Sequence, residues 1–248
     1  MNTEAIIKQF ITIYKKRGPL YCFIFIINAF NDLCIKKFIR GSFSQKGEDI
    51  IIEKIIGQKK KGFYIDVGAH NPNIYNNTKR FYVKGWSGIN IEPNPILIKE
   101  FIRQRRRDIN LNVGVRKTSG KAKFYEFEFD GLSTFSKDEM KKNQKLGYKL
   151  KQELDIDVLS LKKIITKYYY KKIDFLSIDT EGLDFEVLQS NDWKKFRPAV
   201  VCIETGDFNS MITGKKSNKK KLIDSFMYKN EYTEYYDNEL NTIYRTNI

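Results

Sequence analysis

The hydrophobic pattern of residues 42–248 alternates between short apolar runs and segments that carry apolar residues at helical spacing. The apolar runs lie at Phe63–Val67, Ile89–Glu92, Ile109–Val115, Phe175–Ile178 and Ala199–Ile203. Strands that alternate with helices are typical of βαβ units, in which the strands form a parallel sheet. The pattern therefore predicts an α/β fold with a mostly parallel sheet.

Helix start and stop signals separate these strands. Ser44 is the predicted N-cap of a helix that ends near Gly57, and Ser160 caps one that ends near Tyr170. Further helices are predicted from Asn77 or Thr78 to Gly85, from Pro95 to about Arg106, through Val187 and Leu188, and near Lys219–Lys229. These positions complete the alternation of strands and helices.

The middle and the end of the chain follow different patterns. Lys121–Phe129 alternates aromatic and acidic residues, which predicts a half-buried strand. Residues 130–152 are polar and rich in lysine, and a mobile loop is predicted around Gly131–Gly147. Two tyrosine-rich strands near Tyr232–Tyr236 and Asn241–Tyr244 predict a closing hairpin.

Residues 1–41 form a separate segment, and the predicted domain occupies residues 42–248. Positions 4–16 carry apolar residues at helical spacing, and a continuous apolar run follows at Leu20–Ile27. A membrane-spanning helix needs about 20 mostly apolar residues, and Asn28 interrupts this run too early. We expect an N-terminal helical extension that packs on the domain or on a second copy of the chain, or lies on an anionic membrane through its basic flanks.

Charge and cysteine content narrow the class of protein. The chain has 248 residues, 41% hydrophobic residues and a formal net charge of +15. Its basic clusters, Lys59–Lys61, Arg103–Arg107 and Lys215–Lys221, lack the interleaved aromatics of a nucleic-acid platform, so a solvated basic surface is favoured over an anionic partner. Three scattered cysteines indicate a reducing, cytoplasmic compartment, and a single histidine excludes a His/Cys zinc site.

Acidic residues follow the apolar strands at their carboxyl ends. Asp66, Glu92, Asp179 and Glu204 each stand at such a position. In an open parallel sheet these ends line the crevice where ligands bind. Four neighbouring carboxylates repel one another, so a positively charged or polyhydroxylated ligand is the simplest way to offset that repulsion.

The first strand ends in Gly68 without the further glycines of a dinucleotide-binding loop. A pyrophosphate needs those glycines for close backbone approach, whereas a ligand without a pyrophosphate does not. Glu92 lies 24 residues after Gly68 (92 − 68), close to the separation at which an acid receives ribose hydroxyls. Taken alone, Asp66-x-Gly68 is an ordinary strand-to-loop turn. Together with Glu92, Asp179 and the sheet pattern, it favours S-adenosylmethionine, which has a ribose, a cationic amino acid end and no phosphate.

A combined series of motifs resembles the FkbM-type family of S-adenosylmethionine-dependent methyltransferases. The series is Ser44-Gln45-x-Gly47-Glu48-Asp49, Tyr64-x-Asp66-Val67-Gly68-Ala69, Asn77-Thr78, Gly85-Trp86-x-Gly88-x-x-Ile91-Glu92-Pro93-Asn94, Leu132-Ser133-Thr134 and Ile178-Asp179-x-Glu181-Gly182. The resemblance covers about residues 42–205. It implies a Rossmann-like class I methyltransferase fold, whose last strand is antiparallel.

The same resemblance implies site residues. The loop of Asp66, Gly68 and Ala69 would hold the methionine end of the cofactor, Glu92 the ribose, and Asn112 would lie near the adenine, with Asp179 beside the transferred methyl group. The departure from the family pattern is His70-Asn71-Pro72, where related enzymes commonly have a glycine after Ala69.

A hydroxyl acceptor benefits from a general base, and Asp179 is the first candidate. Glu181 and His70 are the alternatives. Asp179 could instead cap the following helix with Thr180, and His70 could be a turn residue. A divalent metal held by Asp179, Glu181, Glu204 or Asp207 stays open, although the spacing does not require one.

The resemblance implies O-methylation, often of sugars in glycans, glycolipids or natural products. The loop around Gly131–Gly147 and the segment Asp207–Lys221 are the predicted lids over the acceptor. Missing glycines disfavour an NAD-linked oxidoreductase, and Asp179-Thr180-Glu181-Gly182 differs from the Pro-Pro-aromatic motif of base methyltransferases. Methylation of a nucleic-acid ribose and a non-catalytic cofactor-binding domain stay open.

Overall fold

The computed structural model describes residues 41–168, 172–206 and 218–247. The predicted N-terminal extension lies outside these ranges apart from Gly41, as does most of the predicted lid Asp207–Lys221. Within them, no helix is long and apolar enough to cross a membrane.

Two sheets and the helices around them make up the described chain. The strands are β1 (Phe63–Val67), β2 (Ser87–Ile91), β3 (Ile109–Leu111), β4 (Gly114–Val115), β5 (Gly120–Phe127), β6 (Leu150–Leu159), β7 (Phe175–Ile178), β8 (Val200–Glu204), β9 (Tyr232–Asp237) and β10 (Asn241–Thr246). The α-helices are α1 (Glu48–Ile56), α2 (Lys79–Val83), α3 (Leu97–Gln104), α4 (Lys137–Lys145), α5 (Leu161–Tyr168), α6 (Asp184–Gln189) and α7 (Asn218–Lys229).

The larger sheet has seven strands in the order β3-β2-β1-β7-β8-β10-β9. Strands β3, β2, β1, β7 and β8 run parallel to one another, whereas β10 is antiparallel to both β8 and β9. This confirms the predicted mostly parallel sheet with an antiparallel last strand. Because the chain leaves β1 first towards β2 and later returns to β7 on its other side, the strand order reverses between β1 and β7, where a ligand crevice is expected.

Both faces of the central strands are covered, which explains their continuous apolar runs. All five residues of β1 are buried. Ile65 belongs to a cluster with Leu161 of α5 and Ile223 of α7, while Tyr64 packs on the opposite face with Ile52 of α1. The core therefore lies in two layers, one on each side of the sheet.

The prediction of a mobile loop around Gly131–Gly147 is wrong. Strands β4, β5 and β6 form a separate three-stranded sheet, and helix α4 follows a short 3-10 helix at Asp130–Leu132. Ser136 caps α4 by accepting a hydrogen bond from the Glu139 backbone N–H, and Met140 packs on Tyr125 and Phe127. We call residues 114–159 the insert.

Two further predictions about element bounds are also corrected. The third strand predicted at Ile109–Val115 is divided, because β3 pairs with β2 whereas β4 pairs with β6 of the insert. Helix α1 starts at Glu48 after the left-handed Gly47, so Ser44 is not its N-cap. The predicted cap at Ser160 is confirmed, since its hydroxyl accepts from the Lys163 backbone N–H at 3.2 Å.

Candidate active site

A tight turn after β1 begins the site. The N–H groups of Gly68 and Ala69 both donate to the Ile91 carbonyl, at 3.0 and 3.1 Å, which turns the loop towards β2. Gly68 has φ +75°, and a Cβ there would lie 1.7 Å from the Asp179 carbonyl oxygen. Only glycine fits this position, and its close approach sets residues 68–78, which we call the cofactor loop after their predicted role, directly against the end of β7.

The side chain of Asp66 holds that loop in place through hydrogen bonds. Its Oδ2 accepts from Thr78 Oγ1 at 2.8 Å and from Asn76 Nδ2 at 3.1 Å, and the same Asn76 amide donates to the Ala69 carbonyl at 3.2 Å. Burial raises the pKa of Asp66 above its ordinary value, against the hydrogen bond from Thr78 and the charge of Arg105. Asp66 therefore organises residues 69–78 as well as contributing charge to the crevice.

Glu92 lies at the end of β2 and joins the loops on either side of it. Oε2 accepts from the His70 backbone N–H and Oε1 from the Asn94 backbone N–H, both at 2.8 Å. Burial raises the pKa of Glu92, opposed mainly by the hydrogen bond from Asn94. Each carboxylate oxygen can accept a second hydrogen bond, so this fixed carboxylate fits a ribose diol.

Asn112 acts on the same loop through its side chain. Its Nδ2 donates to the carbonyl oxygens of Glu92 at 2.9 Å and Pro93 at 2.8 Å. The structure therefore brings Asn112 beside Glu92, as expected for residues that share a cofactor pocket. These contacts, together with the glycine turn, fit a cofactor that has a ribose but no pyrophosphate.

Three carboxylates meet at the ends of β7 and β8. Asp179, Glu181 and Glu204 each place one oxygen within 4.8 Å of the others. Burial, followed by the charge of Glu204, raises the pKa of both Asp179 and Glu181 well above their ordinary values. Asp179 Oδ1 is buried and has no hydrogen-bond partner within the described ranges. We call these three carboxylates the acid cluster.

Lys219 supplies a positive charge to the acid cluster. Its Nζ lies 2.6 Å from Glu204 Oε2 and 2.7 Å from Asp184 Oδ2. Burial lowers the pKa of Lys219, but the charges of Asp184 and Glu204 outweigh it and raise that pKa overall. Sequence reasoning missed this contact, because only the fold brings the start of α7 back to the end of β8.

The structure contradicts the alternative that Asp179 caps the following helix. Helix α6 begins at Asp184, and its N-cap, Leu183, makes no side-chain capping bond. Asp184 instead accepts from the Thr180 backbone N–H at 2.8 Å and from the Thr180 hydroxyl at 3.0 Å. Asp179 is thus left for a role in the crevice. The acid cluster also has the oxygen donors that a divalent cation prefers, so the divalent metal that the sequence leaves open, without requiring it, stays an alternative.

The His70 side chain contacts the insert, and its role as an alternative base stays a prediction. Its imidazole Nε2 lies 3.2 Å from Asp130 Oδ1 of the insert, while its backbone N–H binds Glu92. Although burial lowers the pKa of His70, the hydrogen bond and charge of Asp130 raise it overall. With φ +52°, His70 is a turn residue that links the cofactor loop to the insert.

The insert forms hydrogen bonds with residues that follow both β7 and β2. Thr134 Oγ1 donates to the Glu181 carbonyl at 2.8 Å, on the side of the acid cluster. Asn94 Nδ2 donates to Glu126 Oε1 at 3.3 Å, on the side of Glu92. The insert, folded as a sheet and a helix, therefore contacts residues near Glu181 and near Glu92, and its role as a lid over the acceptor stays a prediction.

Sequence reasoning also missed the loop of residues 42–47, which precedes α1. Its shape depends on the buried Asp49, which accepts from Ser42 Oγ at 2.6 Å, Ser44 Oγ at 2.9 Å and the Phe43 N–H at 2.8 Å. The Phe43 carbonyl accepts from the Asn76 N–H at 3.0 Å. One end of the loop is therefore tied to the residues that hold Asp66.

The start of α1, just after this loop, contacts the other side of the sheet. Glu48 Oε1 accepts from Asn238 Nδ2 and Asn241 Nδ2, both at 2.8 Å, and Asn241 pairs with Glu204 in the sheet. The segment from Phe43 to Glu48 is therefore tied both to Asn76 and to the start of β10 beside β8. The motif Ser44-Gln45-x-Gly47-Glu48-Asp49 contains most of this loop, but the sequence alone assigned the motif no role.

The seven-stranded sheet, with its parallel strands and antiparallel β10, has the strand order of a class I methyltransferase fold. A family model described as the methyltransferase FkbM domain matches residues 66–236, which is more than half of the chain. The chain therefore belongs to the FkbM methyltransferase family, and S-adenosylmethionine is its methyl donor. No curated protein matches the sequence significantly.

Several solved structures are similar to the chain at low sequence identity. A TehB-like S-adenosylmethionine-dependent methyltransferase from Corynebacterium glutamicum is 7% identical, with 81% of this chain and 88% of that chain covered and a TM-score of 0.40. Fibrillarin from Aeropyrum pernix with bound S-adenosylmethionine is 10% identical, with 82% and 74% covered and a TM-score of 0.42. An O-methyltransferase from Bacillus cereus in complex with S-adenosylhomocysteine is 11% identical, with 96% of both chains covered and a TM-score of 0.39. These similarities are too distant to assign an acceptor.

Proposed function

We propose that this methyltransferase transfers the methyl group to a hydroxyl oxygen, and that the acceptor is a sugar in a glycan, glycolipid or natural product. The observation that carries the proposal is the buried Oδ1 of Asp179, which has no hydrogen-bond partner among the described residues. The backbone carbonyl of Asp179 lies against Gly68, and one carboxylate oxygen of Asp179 belongs to the acid cluster. A carboxylate at this position can accept the proton that a hydroxyl loses on methylation.

The cofactor half of the crevice is assigned to residues around β1 and β2. Bound S-adenosylmethionine supplies a methyl group already activated by its sulfonium. Glu92 receives the ribose hydroxyls, and the loop supported by Asp66 holds the methionine end. Asn112 keeps the Glu92 loop in place through its two carbonyl contacts. The protein's main contribution is positioning, which can lower a barrier by roughly 7–11 kcal/mol.

The acceptor half is assigned to the acid cluster. A raised pKa gives Asp179 a stronger tendency to take the hydroxyl proton, and a catalytic base works best when its pKa is close to the working pH. Glu181 and Glu204 orient the acceptor through their carboxylate oxygens. The positive charge of Lys219 offsets the repulsion between the carboxylates of the acid cluster. A neutral polyhydroxylated acceptor suits such an oxygen-lined, acidic surface.

A nucleic-acid ribose is the second candidate acceptor. The formal net charge of +15 supports it, because a basic surface attracts phosphate backbones. The acidic residues around Asp179 favour the sugar of a glycan instead, since they would repel a phosphate held close to the reacting hydroxyl.

Labelled methyl transfer to a panel of hydroxylated acceptors tests the proposal. Glycans, glycolipids, an RNA oligonucleotide and an amine should be compared with and without EDTA. We expect label in a sugar acceptor and none in the amine. Loss of activity with EDTA would assign a metal to the acid cluster, and label only in the amine would refute the proposed O-methylation.

Replacement of Glu92 by alanine is expected to weaken S-adenosylmethionine binding by about 1–3 kcal/mol, because a buried charged hydrogen-bonding partner is lost. Calorimetry measures this directly. Glu231→Ala is the matched control, since the Glu231 side chain is 75% exposed and pairs with Arg197 on the surface. Equal affinity of the two folded variants would remove Glu92 from the cofactor site.

We further propose that residues 1–41 bring the enzyme to an anionic membrane surface. The full chain is expected to sediment with anionic vesicles and to be released as salt increases, because about 1 kcal/mol of attraction per lysine or arginine is screened. A chain that begins at Gly41 should stay in the supernatant and still bind the cofactor. If the two chains behave alike, these residues pack on the domain or join two copies of it.

A further inference from the structure

Arg105 departs from the predicted solvated surface of its basic cluster. Arg103, two residues earlier, has a side chain that is 69% exposed, whereas the Arg105 side chain is 0% exposed. Its guanidinium lies 5.0 Å from the ring centre of Tyr82 and 5.5 Å from that of Phe101. Burying an arginine is expensive unless hydrogen bonds and opposite charges replace its water, so this position requires an explanation.

The guanidinium of Arg105 joins the cofactor loop to β1. Nη2 donates to the Pro72 carbonyl at 2.8 Å and to Asn76 Oδ1 at 2.7 Å. Nη1 donates to Thr78 Oγ1 at 3.2 Å and to Tyr64 OH at 3.1 Å. One planar group thus fixes both the start and the end of the loop, which a flexible lysine ammonium does less well.

The two loop side chains that Arg105 binds are the same two that bind Asp66. Thr78 Oγ1 donates to Asp66 Oδ2, and Asn76 Nδ2 donates to the same oxygen. Arg105 does not touch Asp66 itself in this chain of contacts. Arg105 instead fixes the positions of Thr78 and Asn76, the two residues that donate hydrogen bonds to Asp66.

On the other side, the network reaches the strand that ends in Glu92. The hydroxyl of Tyr64 donates to Asp108, and Asp108 accepts from the Gly88 N–H and Asn90 Nδ2, both at 2.9 Å. Arg105 therefore lies between β1, β2 and the cofactor loop. Tyr64 and Asp108 support it from the side away from the cofactor.

We propose that Arg105 is a positioning residue for the cofactor, which holds residues 72–78 in place and, through Asn76 and Thr78, keeps the Asp66 carboxyl oriented towards the methionine end of S-adenosylmethionine. This inference rests on the proposed cofactor role of Asp66. It gives the basic cluster a function in the site that is separate from surface charge.

Because charged groups surround Asp66, the proposed role of Arg105 predicts that cofactor affinity depends on pH. Arg105, Asp108, Asp179 and Cys202 are the titratable groups that interact with Asp66. Burial raises the pKa of Asp66, and the Thr78 bond and the Arg105 charge work against it. Removal of Arg105 raises the pKa of Asp66 further, so the ionised form is lost at a higher pH than in the wild type.

Arg105→Met tests the proposal by calorimetry with S-adenosylmethionine across pH. We expect affinity at neutral pH to fall roughly 10–100-fold, as for a lost charge-assisted hydrogen-bonding group, and to recover as pH rises. Arg105→Lys should restore part of the affinity and the wild-type pH profile, since it keeps the charge. A uniform loss at every pH would assign Arg105 a structural role only.

Arg103→Met is the matched control, because it removes an exposed arginine of the same basic cluster, which pairs with Glu100 on the surface. It should leave affinity and pH profile unchanged. If Arg105→Met does not fold, Thr78→Val decides, and it should reproduce the loss of affinity. Unchanged affinity in Thr78→Val would overturn the proposal, whereas a wild type that does not bind S-adenosylmethionine would overturn the proposed cofactor site itself.

Discussion

Asp179→Asn is expected to reduce methyl transfer by about 100-fold or more, because a positioned general base contributes roughly 10²–10⁴-fold. Asparagine has a similar shape but cannot take the hydroxyl proton. Affinity for S-adenosylmethionine should stay within a few-fold, since Asp179 contacts the cofactor loop through its backbone carbonyl at Gly68. Single-turnover methyl transfer and calorimetry on the same protein separate these two effects.

The pH dependence of this variant provides a second readout. The wild-type rate should rise with pH as the acid cluster loses its proton and then level off, whereas the residual rate of Asp179→Asn should lack that step. The variant should also be at least as stable as the wild type at neutral and higher pH. A carboxyl whose pKa is raised on folding destabilises the protein most above that raised pKa, and the destabilisation shrinks as pH falls and is gone below the ordinary pKa of the group.

Glu181→Gln is the matched control for the loss of one charge in the acid cluster. A smaller loss of activity is expected there, since Glu181 is assigned to acceptor orientation. Near-normal turnover of Asp179→Asn on the true acceptor would make Asp179 structural. The base would then have to be sought at Glu181 or Glu204.

Gly68→Ala is expected to disrupt both halves of the site. Its Cβ would lie 1.7 Å from the Asp179 carbonyl oxygen, and the residue has φ +75°. The left-handed conformation and the overpacking together should lower the free energy of unfolding by about 2–5 kcal/mol. Because the loop and the end of β7 must separate, binding of S-adenosylmethionine should fall below detection by calorimetry.

Gly85→Ala separates the steric contact from the backbone conformation. Gly85 has φ +92°, and a Cβ there has nothing within 4 Å. This variant should lose only the conformational part, about 1–2 kcal/mol, and bind the cofactor like the wild type. If Gly68→Ala binds as well as Gly85→Ala, the close approach of the two strand ends is not needed for the site.

The part of the site that lies along strand ends could be predicted from the sequence. Each of Asp66, Glu92, Asp179 and Glu204 follows an apolar run, and parallel strands bring their carboxyl ends to one edge. The signal is local, because a strand and the residue after it are read from a few positions. The sheet order then places Asp179 next to Gly68 without further information.

The groups that complete the site depend on contacts between distant parts of the chain. Lys219 reaches Glu204 only because α7 packs back on the sheet, and Arg105 looked like one of several surface arginines. The insert was misread because β6 is largely exposed, although Leu154, Ile156 and Val158 alternate with aspartates as a strand does. Hydrophobic periodicity predicts which face of a single helix or strand is buried. It does not predict which polar side chain becomes buried by contact with a distant helix or strand.

The atom that receives the methyl group tests the central claim most directly. The full chain should be incubated with S-adenosylmethionine labelled at the methyl carbon and with the acceptor found in the panel, and the product analysed by NMR. We predict a labelled methyl ether on a sugar hydroxyl, formed in step with S-adenosylhomocysteine and lost in Asp179→Asn. A methyl group bonded to nitrogen, or an ether formed equally well by Asp179→Asn, would contradict the account.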